Sequence, residues 1–229
     1  MRVAENLSHI RSVIENACER SGRSPSDVTL IAVTKYVSNE RAQEAVESGI
    51  FHLAENRKEG LLEKRAFIKD KRVTWHLIGT LQTRKVKDVV GKMDYFHALD
   101  RLKLANELNK RIKKGTLNCF VEMNISGEES KHGISEDQLV PFIDALAEFE
   151  HLRIVGLMTM APNTEDRDLI RSIFRRLRVL RDKIRDLHLD YAPCTELSMG
   201  MSHDYELAVE EGATYIRIGT SLVGDERKG

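Results

Sequence analysis

Short apolar runs alternate with longer mixed stretches along nearly the whole chain. The runs are "VTLIAVTK" (28–35), "IFHLAE" (50–55), "TWHLIGT" (74–80), "YFHALD" (95–100), "NCFVEMNIS" (118–126), "RIVGLMTMA" (153–161), "CTELSMG" (194–200) and "YIRIGTSL" (215–222). Their length and β-branched content predict buried parallel strands. The stretches between them carry helical spacing. It is clearest over 168–187, where Ile170, Phe174, Leu177, Leu180, Ile184 and Leu187 share one face. A further helix precedes the first strand, with Val3, Leu7, Ile10, Ile14 and Ala17 in a stripe.

Eight strands alternating with helices predict a single (β/α)8 TIM-type barrel with an extra N-terminal helix, a fold that typically takes roughly 250 residues. A doubly wound open sheet is the competitor, but it usually has fewer strands at this length. No Pro/Gly-rich linker divides the chain, so residues 1–229 are expected to form one domain. The four prolines (25, 141, 162 and 193) fall in expected loops or near element starts.

Charge narrows the partners. Lys plus Arg equals Asp plus Glu at 36 each, which gives no reason to expect nucleic acid or an anionic membrane. The arginine-rich segment 168–187 mixes its basic residues with acids around an apolar stripe, as an outer barrel helix would. No segment approaches the roughly 20 apolar residues of a membrane span, and the N-terminus lacks a signal-peptide core. Cys18, Cys119 and Cys194 form no CxxC pair and read as reduced thiols of a cytoplasmic protein. With no obvious exposed apolar patch, a monomer is expected.

In a barrel the chemistry gathers at the C-terminal strand ends, and phosphate is commonly held by the loops after strands seven and eight. Lys35 closes the first run and is expected at a dry strand end. The loops "LSMGMSHD" (197–204) and "RIGTSLVG" (217–224) bring Ser198, Gly200, Ser202, Gly219 and Thr220 to the phosphate positions. Arg217, between two isoleucines, should point into the mouth as a donor that cannot lose its proton, or pair with an inward acid such as Glu122 or Glu196. Asn56 either meets a ligand hydroxyl or caps the next helix. A zinc site built from His52, His76 and His97 lacks HxH or HExxH spacing and is not favoured.

An amine, a phosphate site and an arginine suggest pyridoxal 5′-phosphate (PLP) held by Lys35 as a Schiff base. A class I aldolase, whose lysine captures a sugar-phosphate carbonyl, needs the same groups.

The motifs "IAVTKYVSNE", "FHLAENR", "WHLIGTLQTRK", "VEMNISGEESKHGI", "GLMTMAP" and "LSMGMSHDYELAVEEGATYIRIGTSLVG" resemble the pyridoxal phosphate homeostasis proteins, which share the barrel of alanine racemase. The resemblance runs from about residue 28 to 224. It implies that Lys35 carries the cofactor and that Arg217 faces its pyridine nitrogen. It further implies that Ser198, Gly219 and Thr220 hold the phosphate, with Asn56 near the ring's oxygen substituent. Thr80, Arg84 and Lys58-Glu59-Gly60 depart from the common pattern beside the mouth.

A racemase needs a second acid/base group opposite the lysine. Related racemases take a tyrosine from a second domain that this sequence does not contain. Tyr36 adjoins Lys35 but should face away by strand alternation. The resemblance therefore implies a carrier or buffer in vitamin B6 homeostasis, with no catalytic residue assigned and PLP-dependent apo-enzymes as possible recipients. The alternative is a racemase-like enzyme acting on a small amino acid.

Overall fold

The computed structural model describes residues 2–128 and 132–226. Eight parallel strands close into a barrel in sequence order. They are β1 (Thr29–Val33), β2 (His52–Glu55), β3 (Thr74–Leu77), β4 (Tyr95–Leu99), β5 (Leu117–Glu122), β6 (Leu152–Met158), β7 (Glu196–Ser198) and β8 (Tyr215–Ile218). Closure is made by β1 against β8, with Ile31 opposite Arg217 and Ala32 opposite Ile218. An open doubly wound sheet is thereby excluded.

Nine α-helices are formed among the described residues: α1 (Val3–Ser21), α2 (Asn39–Glu47), α3 (Lys58–Phe67), α4 (Val86–Val89), α5 (Leu102–Arg111), α6 (Leu139–Ala145), α7 (Arg167–Arg185), α8 (Tyr205–Glu210) and α9 (Thr220–Val223). The expected stripe of α1 is buried in full. Each large apolar side chain on it contributes about 1.5–3 kcal/mol relative to an exposed one. It faces α8 and α9, where Asn6 Nδ2 donates to Leu222 O at 2.8 Å and Arg20 pairs with Glu206 and Glu210. Gly22 ends α1 at φ 65°, the left-handed cap that a Cβ would disfavour.

Helix α7 buries five of the six residues expected to share its face, together with Ile173. Leu187 lies beyond the helix end and is 46% exposed, which corrects its place on the stripe. Its arginines are organised as well as solvated: Arg171, Arg175 and Arg178 surround Glu211, whose side chain is 4% exposed.

Most predicted strands run too far at their C-terminal ends. Residues 34–35, 78–80, 123–126, 159–161, 199–200 and 219–222 leave the sheet at the mouth, and Thr220–Val223 forms α9 instead. These segments mix small, hydroxyl and apolar residues that line or support a cavity. The first residue of several still donates to the neighbouring strand, as Ile78 N does to Glu55 O and Met123 N to Met158 O, and the ladder ends there.

Two cores follow from strand alternation. On β8, Ile216 and Ile218 join the layer beneath the helices, while Tyr215 and Arg217 enter the barrel. The lower interior is a packed ring cluster. His76 stacks on Tyr95 at 4.7 Å, His97 stacks on Phe120 at 4.4 Å, and Tyr215 lies tilted against Tyr95 and edge-on to Phe120.

Candidate functional site

β1 stops at Val33, and Thr34 fixes the exit. Its backbone N–H donates to Ala54 O at 3.0 Å, and its hydroxyl donates to Glu55 Oε1 at 2.7 Å. Lys35 follows, exposed, with Nζ 4.7 Å from the Tyr36 ring centroid. One expectation is corrected here. The amine stands two residues past the strand and is open to water, because the chain turns at Thr34. Tyr36 stays out of the mouth cavity, as strand alternation suggested, although its ring lies close enough to Lys35 Nζ to act as a cation–π partner.

Lys35, Asn56, Arg217, Gly219 and Thr220 line one cavity of about 380 Å³ at the C-terminal mouth, as does Glu122. Asn56 does not cap α3, whose N-cap is Arg57 without a side-chain capping bond. Gly79 crosses Asn56 so closely that a Cβ would overlap its carbonyl oxygen. Thr80 lines both this cavity and a neighbouring one of about 450 Å³ that Lys58 and Glu59 also line, so these three of the departing residues lie beside the site. There Lys58 pairs with Asp88 at 2.6 Å.

Arg217 is 4% exposed. Its Nη1 donates to Ser198 Oγ at 2.6 Å and its Nη2 to Thr159 O at 3.0 Å. It therefore makes hydrogen bonds to neutral oxygens, and no ion pair with Glu122 or Glu196 forms among the described residues. Burial lowers Arg217 to about 10, opposed by Asp204 and Glu122, so it stays charged at neutral pH.

Ser198 is fully buried beneath Arg217 and does not line the cavity. Its hydroxyl is engaged by Arg217 and, at 2.8 Å, by His97 Nδ1. The alternation of β7 turns it inward below the mouth, whereas Met201, Ser202 and His203 of the following loop reach the cavity. The structure thus places Ser198 in support of Arg217 and outside the cavity lining.

Gly200, at φ 92°, makes the tight exit from β7; a Cβ there would stand 2.6 Å from Ala208 Cβ. Met201 N donates to Asp204 Oδ1 at 2.6 Å, which closes the loop. The amides of Thr220 and Ser221, which open α9 after Gly219, come too early in the helix for an intrahelical acceptor, whereas Leu222 N already donates to Gly219 O at 2.9 Å.

Glu122, at the end of β5, is buried with Oε2 unpartnered. Burial and nearby Asp100 raise it to about 7, against the lowering influence of Arg217 and Arg101. Met158 and Met160 of the β6 exit, with His132 and His203, complete the lining. Sequence reasoning singled out none of these four. Only His203 had a signal, its place in the strand-seven loop.

His52, His76 and His97 do come together, but their ring nitrogens bond to one another in line and do not converge on a common point. His52 Nδ1 meets His76 Nε2 at 2.9 Å, and His76 Nδ1 meets His97 Nε2 at 2.9 Å. Among the described residues no group of His, Cys, Asp or Glu could hold a metal ion, and no helix is long and apolar enough to cross a membrane. The three cysteines are buried free thiols.

Comparison with known proteins places the chain in a family. The family model "Alanine racemase, N-terminal domain" matches residues 6–227. A pyridoxal phosphate homeostasis protein of Aquifex aeolicus is 40% identical over 229 residues, covering 99% of this chain and 100% of the relative. The chain belongs to the pyridoxal phosphate homeostasis protein family. Its Escherichia coli K12 relative is 36% identical over 228 residues, covering 97% of this chain and 96% of its own. PipY of Synechococcus elongatus, solved with PLP bound, superposes with a TM-score of 0.84 at 31% identity, covering 97% of this chain and 100% of PipY. An alanine racemase from Clostridium difficile, in complex with cycloserine, shares the fold with a TM-score of 0.76 at 15% identity. This chain spans 58% of that racemase and is covered over 96% of its own length.

Proposed function

We propose that this family member holds PLP at the barrel mouth through Lys35 and acts in PLP homeostasis as a carrier or buffer inside the cytoplasm. The observation that carries the reading is the single cavity shared by Lys35, Asn56, Arg217, Gly219 and Thr220. The donor set fits the cofactor. An accessible amine suits its aldehyde, and a permanently protonated guanidinium can donate to a pyridine lone pair. The amides around Gly219 and Thr220, with the Met201–Ser202 turn, suit a phosphate dianion. Asn56 is in reach of the same cavity as the amine and serves a ring substituent.

When bound, PLP supplies an electrophilic carbonyl and an electron-withdrawing ring. Arg217, locked by Ser198 and Thr159, keeps its proton and so leaves the ring nitrogen unprotonated, which weakens the ring as an electron sink. None of the five tyrosines lines the cavity. Both features favour retention and hand-over of the cofactor above turnover. The alternative, a racemase-like enzyme, draws on Glu122, a carboxyl in the cavity that titrates near neutrality. In the carrier reading the whole chain works as one monomeric barrel domain, and PLP-dependent apo-enzymes receive the cofactor.

Visible absorption followed by borohydride reduction and peptide mapping tests the reading. The expected result is a yellow protein with the pyridoxyl group on Lys35. A protein that stays colourless and unmodified with excess PLP overturns it, and steady turnover of one amino acid well above the free-cofactor rate transfers it to the enzyme alternative.

A further inference from the structure

Four consecutive hydrogen bonds cross the barrel from the first residue of β2 to Arg217. They run from His52 to His76, His76 to His97, His97 to Ser198 and Ser198 to Arg217, at 2.9, 2.9, 2.8 and 2.6 Å. His76, His97 and Ser198 are fully buried, while His52 is half-buried and lines a cavity at the opposite, N-terminal end of the barrel with Arg11 and Glu15.

The direction of this chain follows from what each group can do. A guanidinium has donors only, so Arg217 donates to Ser198 Oγ. The Ser198 hydroxyl then has one hydrogen to place, and its one other partner is His97 Nδ1. If Nδ1 donated instead, the hydroxyl hydrogen would be buried without an acceptor, at a cost of about 1–3 kcal/mol. Nδ1 of His97 therefore accepts, which puts the ring proton on Nε2. That proton faces His76 Nδ1, which must accept in turn, and His76 Nε2–H then donates to His52 Nδ1. Any imidazolium along the line would set two donors against each other. Burial, the neighbouring histidine and, for His97, Arg217 hold His76 and His97 well below the ordinary histidine range, in agreement with neutral rings.

We infer that His97, His76 and His52, through Ser198, are positioning residues for Arg217, forming a one-way chain of neutral Nε2–H imidazoles that fixes which guanidinium hydrogens remain for the mouth. Arg217 has five N–H bonds. Ser198 and Thr159 take two of them, and the chain keeps the Ser198 lone pair, not its hydrogen, turned toward Nη1. The relay delivers no proton to the mouth, because its last member is donor-only. Its effect is geometric and electrostatic: each bond polarises the next, and the cooperative line stiffens the one buried cation of the site. The consequence for a bound pyridine ring rests on the PLP reading above; the tautomers do not.

The test has two parts. Nitrogen-15 histidine labelling of cofactor-free protein at pH 7, with long-range nitrogen–proton spectra assigned through single His variants, reads the tautomers directly. The expected pattern is unprotonated Nδ1 and protonated Nε2 at all three rings. A protonated Nδ1 or an imidazolium at any of them overturns the inference, whatever the protein does with PLP. The second part compares the visible band of PLP-reconstituted wild type, His97→Phe and His97→Asn across pH. Phe removes the acceptor while keeping an aromatic ring against Phe120, and the Asn carbonyl can accept from Ser198. A band or pH profile that moves in His97→Phe and returns in His97→Asn supports positioning. One that is unmoved in His97→Phe overturns it. If wild type binds no PLP, the cofactor reading fails and the nitrogen spectra alone decide the chain.

Discussion

Glu55 and Lys64 pair at 3.1 Å with side-chain exposures of 2% and 6%, and the same Glu55 oxygen accepts the hydroxyl of Thr34, the residue before Lys35. A buried pair of this kind gives little net stability over an apolar replacement, but removing one partner leaves the other charge uncompensated. Lys64→Met should therefore destabilise the fold by about 3–5 kcal/mol. The double variant Glu55→Gln with Lys64→Met should recover much of that loss. Urea unfolding of the three proteins checks the pattern; equal losses in the single and double variants would mean that the pair is not coupled.

The pairing bears on the site because it anchors the turn that presents Lys35. Lys35→Ala removes only the exposed amine, so stability should hardly change. Borohydride-resistant attachment of PLP should vanish, leaving weaker, reversible binding through Arg217 and the phosphate-side loops. Mass analysis of reduced wild type and variant distinguishes the outcomes. A pyridoxyl group retained on another lysine would show that Lys35 is not the attachment point.

Much of this arrangement was legible in the sequence where periodicity spoke for a whole element. The α1 stripe, the α7 stripe short of Leu187, and the inward turn of Arg217 between Ile216 and Ile218 each follow from spacing alone. The mouth was harder. Strand ends such as Thr34–Lys35 and Gly219–Thr220 look like sheet because they continue an apolar pattern, and only hydrogen bonding shows that they leave it. Ser198 was assigned by its motif to phosphate, yet its depth depends on where β7 ends. The histidine line needs the relative register of three strands, which no single segment encodes.

Close approach of β2 and β3 at the mouth gives a steric prediction. A Cβ at Gly79 would lie 2.9 Å from the Asn56 carbonyl carbon and 3.0 Å from its Cα, in addition to overlapping the oxygen. These are backbone atoms that cannot rotate aside. Gly79→Ala should cost about 1–3 kcal/mol of stability, as overpacking commonly does. It should also weaken PLP binding by displacing Asn56. Fluorescence titration alongside urea unfolding measures both, and unchanged affinity in a folded variant would separate Asn56 from the cofactor.

Glu122 supplies the clearest pH dependence. Its carboxyl is raised from 4.5 to about 7 by burial and Asp100, and Oε2 has no hydrogen-bond partner. Between these values the folded protein keeps a proton that the unfolded chain has released. Stability therefore falls as pH rises from about 4.5 to about 7 and the penalty levels off above that. The full difference amounts to about 3 kcal/mol. Gln has no charge to bury, so Glu122→Gln should be more stable than wild type by up to that amount at pH 8. The advantage should shrink toward pH 4.5, where wild type is protonated in both states. Urea unfolding of cofactor-free protein at pH 4.5, 6 and 8 reads the slope; a stability difference that does not vary with pH would mean that Glu122 does not hold its proton. The proton retained at this position below about pH 7 also matters to the ligand, because the neutral acid adds no negative charge to a cavity proposed to receive a phosphate.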